Sequence, residues 1–146
     1  MMSPEHAADA ASAWLGVVSA EHVRRGVELS IAQIGHGKMT GLKRMRAGDT
    51  LVFYSPTERL RDGIALRQFT AIGVVPDDEI WQADDGDFHP YRRQIAYARA
   101  HTVDLDDVRE QLVLTSTPNW GYQLRRGLVP LDDRDANLLR HAMITP

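Results

Sequence analysis

The residues best equipped for chemistry lie between positions 33 and 46, QIGHGKMTGLKRMR, where His36, Lys38, Lys43, Arg44 and Arg46 stand among three glycines with no acidic side chain. Spacing tests what they could do. A phosphate loop of the form GxxxxGK[ST] would use Gly37-Lys38, but Ala32 occupies the place of the first glycine and Met39 that of the Mg²⁺-binding hydroxyl. Nucleotide hydrolysis is not expected here. Metal sites need ligands that converge at helical or hairpin spacing, whereas His6, His22, His36, His89, His101 and His141 are dispersed, without HExxH or His-x-His. Asp85, Asp87 and His89 alternate, yet they sit in an acidic stretch with Gly and Pro and lack calcium-loop spacing, so they read as solvated loop. No metal and no cofactor are expected. None of Ser3, Ser12, Ser19, Ser30, Ser55 and Ser116 has a GxSxG setting. The chain has no cysteine, which removes thiolate nucleophiles, disulfides and Cys-ligated zinc. Binding remains. A basic, glycine-rich loop is paired with Trp14, Trp81 and Trp120, and an indole offers a flat face to a base; each tryptophan alone also fits a core residue with one exposed edge.

The elements that must position these groups follow from periodicity. Residues 1–12 are Ala-rich and polar and read as a frayed arm or one short helix, leaving 13–146 as a single domain. Ala13 to Ser19 is a strand, with Ser19 placed to cap a helix SAEHVRRGV that carries Val23 and Val27 on one side. The 33–46 stretch is a loop with one helical turn, since Leu42 and Met45 are three apart. Ala47-Gly48-Asp49 turns the chain into a strand from Thr50 to Ser55, and Ile64 to Val75 is its hairpin partner, with Gly73 marking a bulge or a close approach. Tyr91 to Val103 alternates and reads as one further strand. Leu105, Val108 and Leu112 define a short amphipathic helix, Thr117 to Gly121 a loop, LVPL a brief strand, and Asp132 the cap of a last helix with Leu138, Leu139 and Met143 inside. Strands mixed with short helices, without βαβ alternation, imply an α+β fold, with an antiparallel sheet curled toward a barrel.

Composition sets the outer bounds. The 146 residues are 43% hydrophobic and 25% charged, and no apolar window of membrane-spanning length occurs. The N-terminal residues lack a basic n-region and an apolar h-region, so a cytoplasmic protein without membrane association is expected. A net charge of −3 argues against a nonspecific nucleic-acid coat. Charge is nevertheless segregated along the chain: Lys38 to Arg46 holds four cations and no anion, Asp77 to Asp87 six carboxylates and no cation. A polarised surface is expected, compatible with a face that meets phosphate and with a merely solvated one.

In order, AWLGVVS, QIGHGKMTGLKRMRAGDTLVFYS, QFTAIGVV, PYRRQIAYARA and NWGYQLRRG resemble the EVE domain family of the PUA-like superfamily from Ala13 onward. The most specific part is His36-Gly37-Lys38 with Leu42-Lys43-Arg44-Met45 and Gly48-Asp49 before a Phe-Tyr-Ser strand. The resemblance implies a mixed β pseudobarrel surrounded by short helices, with a pocket like that of YTH domains, which cage a modified base between aromatic side chains. It implies a non-catalytic reader of nucleic acid carrying a modified, for example methylated, base. Carried over by position, Ser19 and the loop with Gln33, Ile34, His36, Gly37 and Lys38 line the pocket, and Trp14, Tyr54 and Trp120 are candidates for its walls. The loop departs from the YTH pattern, offering Gln33, Ile34 and His36 where a cage tryptophan would stand. Gln33 and His36 would read the base edge and Lys38, Lys43 and Arg44 would hold phosphates, a track that Arg92, Arg93, Arg125 and Arg126 would widen. Two alternatives accompany this reading. Related ASCH domains imply a small hydrolase of a modified nucleoside with Lys38 and Thr40 as its residues, and the third possibility is a module whose pocket takes a small ligand or protein.

Overall fold

The computed structural model describes residues 11–61 and 64–144. Of the arm expected over residues 1–12, only Ala11 and Ser12 fall within them. In chain order the elements are β1 (Ala13–Val17), α1 (Ala20–Leu29), β2 (Ile31–Ala32), a tight turn at Gly35–Gly37 and α2 (Met39–Arg44). They continue with β3 (Thr50–Thr57), β4 (Ala65–Val74), β5 (Trp81–Gln82), β6 (Tyr91–Gln94), β7 (Ala96–Tyr97), β8 (Val103–Asp104) and α3 (Leu105–Val108). Two 3₁₀ segments, Arg109–Gln111 and Trp120–Arg126, precede β9 (Leu128–Leu131) and α4 (Asp133–Ile144).

The α+β class and the short helices are as the residues imply. The main sheet runs β7-β4-β3-β1-β9, with β8 also on β4, and a smaller one runs β2-β6-β5. Neither closes into a barrel. The main sheet is mixed, because β1 lies parallel to β3 while β9 and β4 run antiparallel to their neighbours.

Alternation along the central strand explains the core. Residues 50–55 are all buried, and their side chains divide by period two: Val52 and Tyr54 pack on one face with Ala13 and Leu15, Leu51 and Phe53 on the other. Leu105, Val108, Leu112, Ala136, Leu139 and Met143 cover the first face; Val23, Ala32, Ile34, Leu42, Met45 and Ile95 cover the second. Each such aliphatic or aromatic side chain contributes roughly 1.5 to 3 kcal/mol on full burial. In β4, Phe69 and Ile72 share a face although three residues apart, because the register shifts opposite Phe53 and Tyr54 and inserts one residue. Gly73 is the close approach its position implies: a Cβ there would lie 2.7 Å from Ile95 Cγ2 and 2.8 Å from the Ala96 carbonyl.

Tyr91 to Val103 departs from the expected single strand. β6 pairs with β2 and β5, β7 pairs with β4, and the fully buried Ile95 sits between two sheets. The strand therefore hands the chain from one sheet to the other. Asp132 does cap α4, accepting from the Arg134 N–H at 2.8 Å, but Asp135 serves the fold otherwise, being buried and accepting from the Val113 and Leu114 N–H groups at 2.8 Å each. No helix among the described residues is long and apolar enough to cross a membrane.

Candidate functional site

β1 and β3 are parallel, so both deliver their carboxyl ends to one edge of the molecule, the place where open sheets leave a crevice. There a cleft of about 690 Å³ is bounded by Val17, Val18 and Ser19 after β1, by Glu21, His22 and Arg25 of α1, and by Pro56, Thr57 and Leu60 at and beyond the end of β3. Gln33, Gly35, His36 and Gly37 form a third side, Phe88 a fourth, and Leu124, Arg125, Arg126 and Gly127 close it. Backbone bonds hold these walls together: Val17 N–H donates to Gly127 O at 2.8 Å and Glu21 N–H to Glu58 O at 2.9 Å, while Arg24 pairs with Glu58.

The opening glycine loop is shaped by three successive left-handed residues, Gly35 (φ 61°), His36 (φ 60°) and Gly37 (φ 85°). That turn needs glycine at Gly37, where a Cβ would stand 2.6 Å from Pro90 Cβ and 3.1 Å from the Phe88 ring. Phe88 is presented by a reverse turn in which Asp85 and Phe88 bond each other's backbone and Gly86 takes φ 68°. The acidic stretch expected to be solvated loop thus carries an aromatic wall of the cleft.

Four of the residues anticipated for the pocket line it: Ser19, Gln33, His36 and Gly37. Ser19 occupies the N-cap position of α1 but makes no side-chain capping bond, so its hydroxyl is not consumed by the helix. Gln33 is oriented from outside, since Arg92 Nε–H donates to its Oε1 at 2.9 Å. The aromatic residues anticipated as walls are elsewhere. Trp14 Nε1–H donates to Asp49 Oδ2 at 2.9 Å, and the Arg44 guanidinium lies 4.8 Å over its ring. Asp49, buried, also accepts from Ser12 N–H and Arg46 N–H, so the Gly-Asp before the Phe-Tyr-Ser strand is a structural clasp. Tyr54 is 4% exposed in the core, 5.3 Å from Phe69. Trp120 packs on the first core cluster and borders a separate, more open hollow with Thr117, Pro118, Asn119, Tyr122 and Gln123.

The cations also divide. Ile34 is a core residue at 3% exposure, and Lys38, Thr40 and Lys43 are exposed without lining the cleft. Arg44 Nη1–H is spent on Leu128 O at 2.9 Å. Arg93, expected on a phosphate track, is 1% exposed and donates to the Leu42, Met45 and Asp77 carbonyls, with Asp78 Oδ1 at 3.8 Å. It joins the end of the basic stretch to the start of the acidic one, where Ala47 N–H also donates to Asp78 Oδ1. The ends of the two charged segments therefore adjoin here. Among the described residues no three His, Asp or Glu side chains converge as metal ligands would.

Residues not anticipated for the site include His22, Arg25 and Phe88. Ser19, His22 and Arg25 are spaced by three, which places them on one helical face, and Asp85-Gly86 is a hairpin-turn signal. Both signals stand in the sequence. Partial desolvation against the cleft wall, then Arg25 and Arg92, holds His22 below its usual pKa; His36 acts in the same direction and Glu21 against it. His22 is accordingly neutral at neutral pH. Because the unfolded chain binds that proton more readily, stability conferred by neutral His22 is present above about 6.5, the ordinary histidine value, and is lost as pH falls through the lowered one. Urea unfolding across this acidic window should show a shallower pH dependence in His22→Gln than in the parent; identical slopes would exclude the contribution.

Residues 12–142 match the EVE domain. A UPF0310 protein of Renibacterium salmoninarum is 49% identical over 130 residues, covering 89% of this chain and 94% of its own. Another, from Mycolicibacterium vanbaalenii, is 39% identical over 135 residues, covering 91% and 93%. The solved structure of a hypothetical protein from Leishmania major superposes with a TM-score of 0.55 at 12% identity, covering 92% of this chain and 96% of that one, a likeness of fold. A domain match over almost the whole length, with relatives of this identity and coverage, makes the chain a member of the EVE domain family.

Proposed function

We propose that this protein binds nucleic acid carrying a modified base, such as a methylated one, without catalysing a reaction on it. The supporting observation is the composition of the cleft, in which Val17, Val18, Phe88 and Leu124 supply apolar surface beside Gln33 and His36, with Arg25, Arg125 and Arg126 at its border. A flipped base must recover its unstacking energy, and stacking on an aromatic side chain contributes about 1 to 3 kcal/mol. Phe88 takes the role expected of a tryptophan. A methyl group adds up to about 0.8 kcal/mol if fully buried, enough for a preference of a few-fold. The arginines meet the flanking phosphates, which fixes position without reading sequence.

The reading is tested by binding of short single-stranded oligonucleotides, with and without one 5-methylcytosine, to the parent and to the double variant Arg125→Ala/Arg126→Ala. The parent should prefer a methylated strand. The double variant should bind every strand more weakly, with the slope of log K against log salt reduced by about 1.4, the value for two lost phosphate contacts on a single strand. An unchanged salt slope, or no binding by the parent at low salt, would contradict the proposal.

A further inference from the structure

Gln33 lines the cleft and carries a primary amide, which presents either an acceptor or two donors depending on how it is turned. Its orientation is decided by chemistry. The neighbouring group is the guanidinium of Arg92, whose nitrogens only donate, and Arg92 Nε lies 2.9 Å from Gln33 Oε1. The carbonyl is thereby engaged on the Arg92 side, and Nε2 keeps its two N–H groups without a protein partner among the described residues. Arg25, Arg125 and Arg126 line the same cleft and can only donate, while the cleft's carboxylate, Glu21, lies 3.7 Å from Arg59 Nε.

We propose that the Gln33–Arg92 pair makes the cleft select a base by a carbonyl edge in preference to an exocyclic amino edge. This rests on the base-binding reading above and adds a rule of recognition to it. A carbonyl oxygen accepts from Gln33 Nε2, whereas an amino group in the same place meets a donor with a donor and leaves both unpaired, which disfavours it on binding. Arg92 acts as a positioning residue, fixing the amide and touching no base.

Two single-stranded oligonucleotides identical except for one central base, hypoxanthine or adenine, present the opposite edges, because hypoxanthine offers a C6 oxygen beside a protonated N1 and adenine a C6 amino group beside an unprotonated N1. The parent should bind the hypoxanthine strand roughly tenfold more tightly, the discrimination that one well-matched hydrogen-bonding edge provides. Gln33→Glu keeps a partner for Arg92 but presents only acceptors, and its preference should invert; the ratio is insensitive to the added charge, since both strands carry the same phosphates. Arg92→Leu releases the amide to turn, and the ratio should fall toward one while the salt slope stays as in the parent. If both strands bind the parent equally and neither variant moves the ratio, the selection rule is wrong and base binding stands. If neither strand binds, both proposals fall.

Discussion

Arg93→Ala is expected to destabilise the protein by roughly 3 to 5 kcal/mol, the range found when one member of a buried charged network is removed. Arg93 is 1% exposed and donates to Leu42 O at 2.7 Å, to Met45 O at 2.9 Å and to Asp77 O, so truncation leaves three carbonyls without this donor and opens a cavity the size of the side chain. Each buried acceptor left unpaired costs about 1 to 3 kcal/mol. Burial depresses the guanidinium's pKa, and Asp78, Asp77 and Asp49 oppose that shift, so the charge is supported by neighbours as well as by carbonyls. Its Nε finds no partner among the described residues, which leaves the network incomplete there. Arg93→Met, which restores most of the volume and none of the donors, should recover only part of the loss. Urea unfolding of the parent and both variants measures this directly. An Arg93→Ala protein with unchanged stability and weakened oligonucleotide binding would instead place Arg93 on a phosphate track.

The second large effect is expected at the glycine loop. Gly37→Ala should cost roughly 3 kcal/mol, because two independent penalties apply at one atom. A φ of 85° is unfavourable for any L side chain, at about 1 to 3 kcal/mol, and the new methyl would stand 2.6 Å from Pro90 Cβ, a clash relieved only by moving the β5–β6 hairpin. Since that hairpin carries Phe88, the displacement also widens the cleft between Phe88 and His36. Gly35 has a similar φ of 61° but nothing within 4 Å of a Cβ, so Gly35→Ala carries the conformational penalty without the clash. The pair separates the two causes: Gly35→Ala should lose less than half as much stability and retain oligonucleotide binding. Equal losses at both positions would show that backbone strain alone explains them.

How much of this is legible in the residues depends on the range of the interaction. Period-two burial in Thr50 to Ser55 is a local property of one strand, and the strand, its hairpin partner and the close approach at Gly73 can be read from composition and spacing. The glycine loop is legible as a cleft rim because glycine and a lone polar residue alternate there, and Gln33, His36 and Gly37 do line it. Trp14 reads as a candidate wall from its place in the family resemblance and from the flat face an indole offers. Its partner, Asp49, is 35 residues away and reaches it only through the parallel pairing of β1 with β3. The doublet Arg92-Arg93 looks uniform in sequence and is split by the pleat, which turns Arg92 toward Gln33 and buries Arg93 under α2. Phe88 is hidden by its acidic neighbours, whose charge suggests a solvated loop although Asp85-Gly86 marks a hairpin that brings an aromatic ring back onto Gly37.

The central claim, that a base enters the cleft at the carboxyl ends of β1 and β3, is tested most directly by amide NMR during titration with a short oligonucleotide carrying one modified base. The account predicts saturable shifts at Ser19, His22, Gln33, His36, Phe88 and Gly127, with the hollow bordered by Thr117, Asn119 and Tyr122 unchanged. Shifts confined to that hollow, or a spectrum unmoved at low salt, would contradict it.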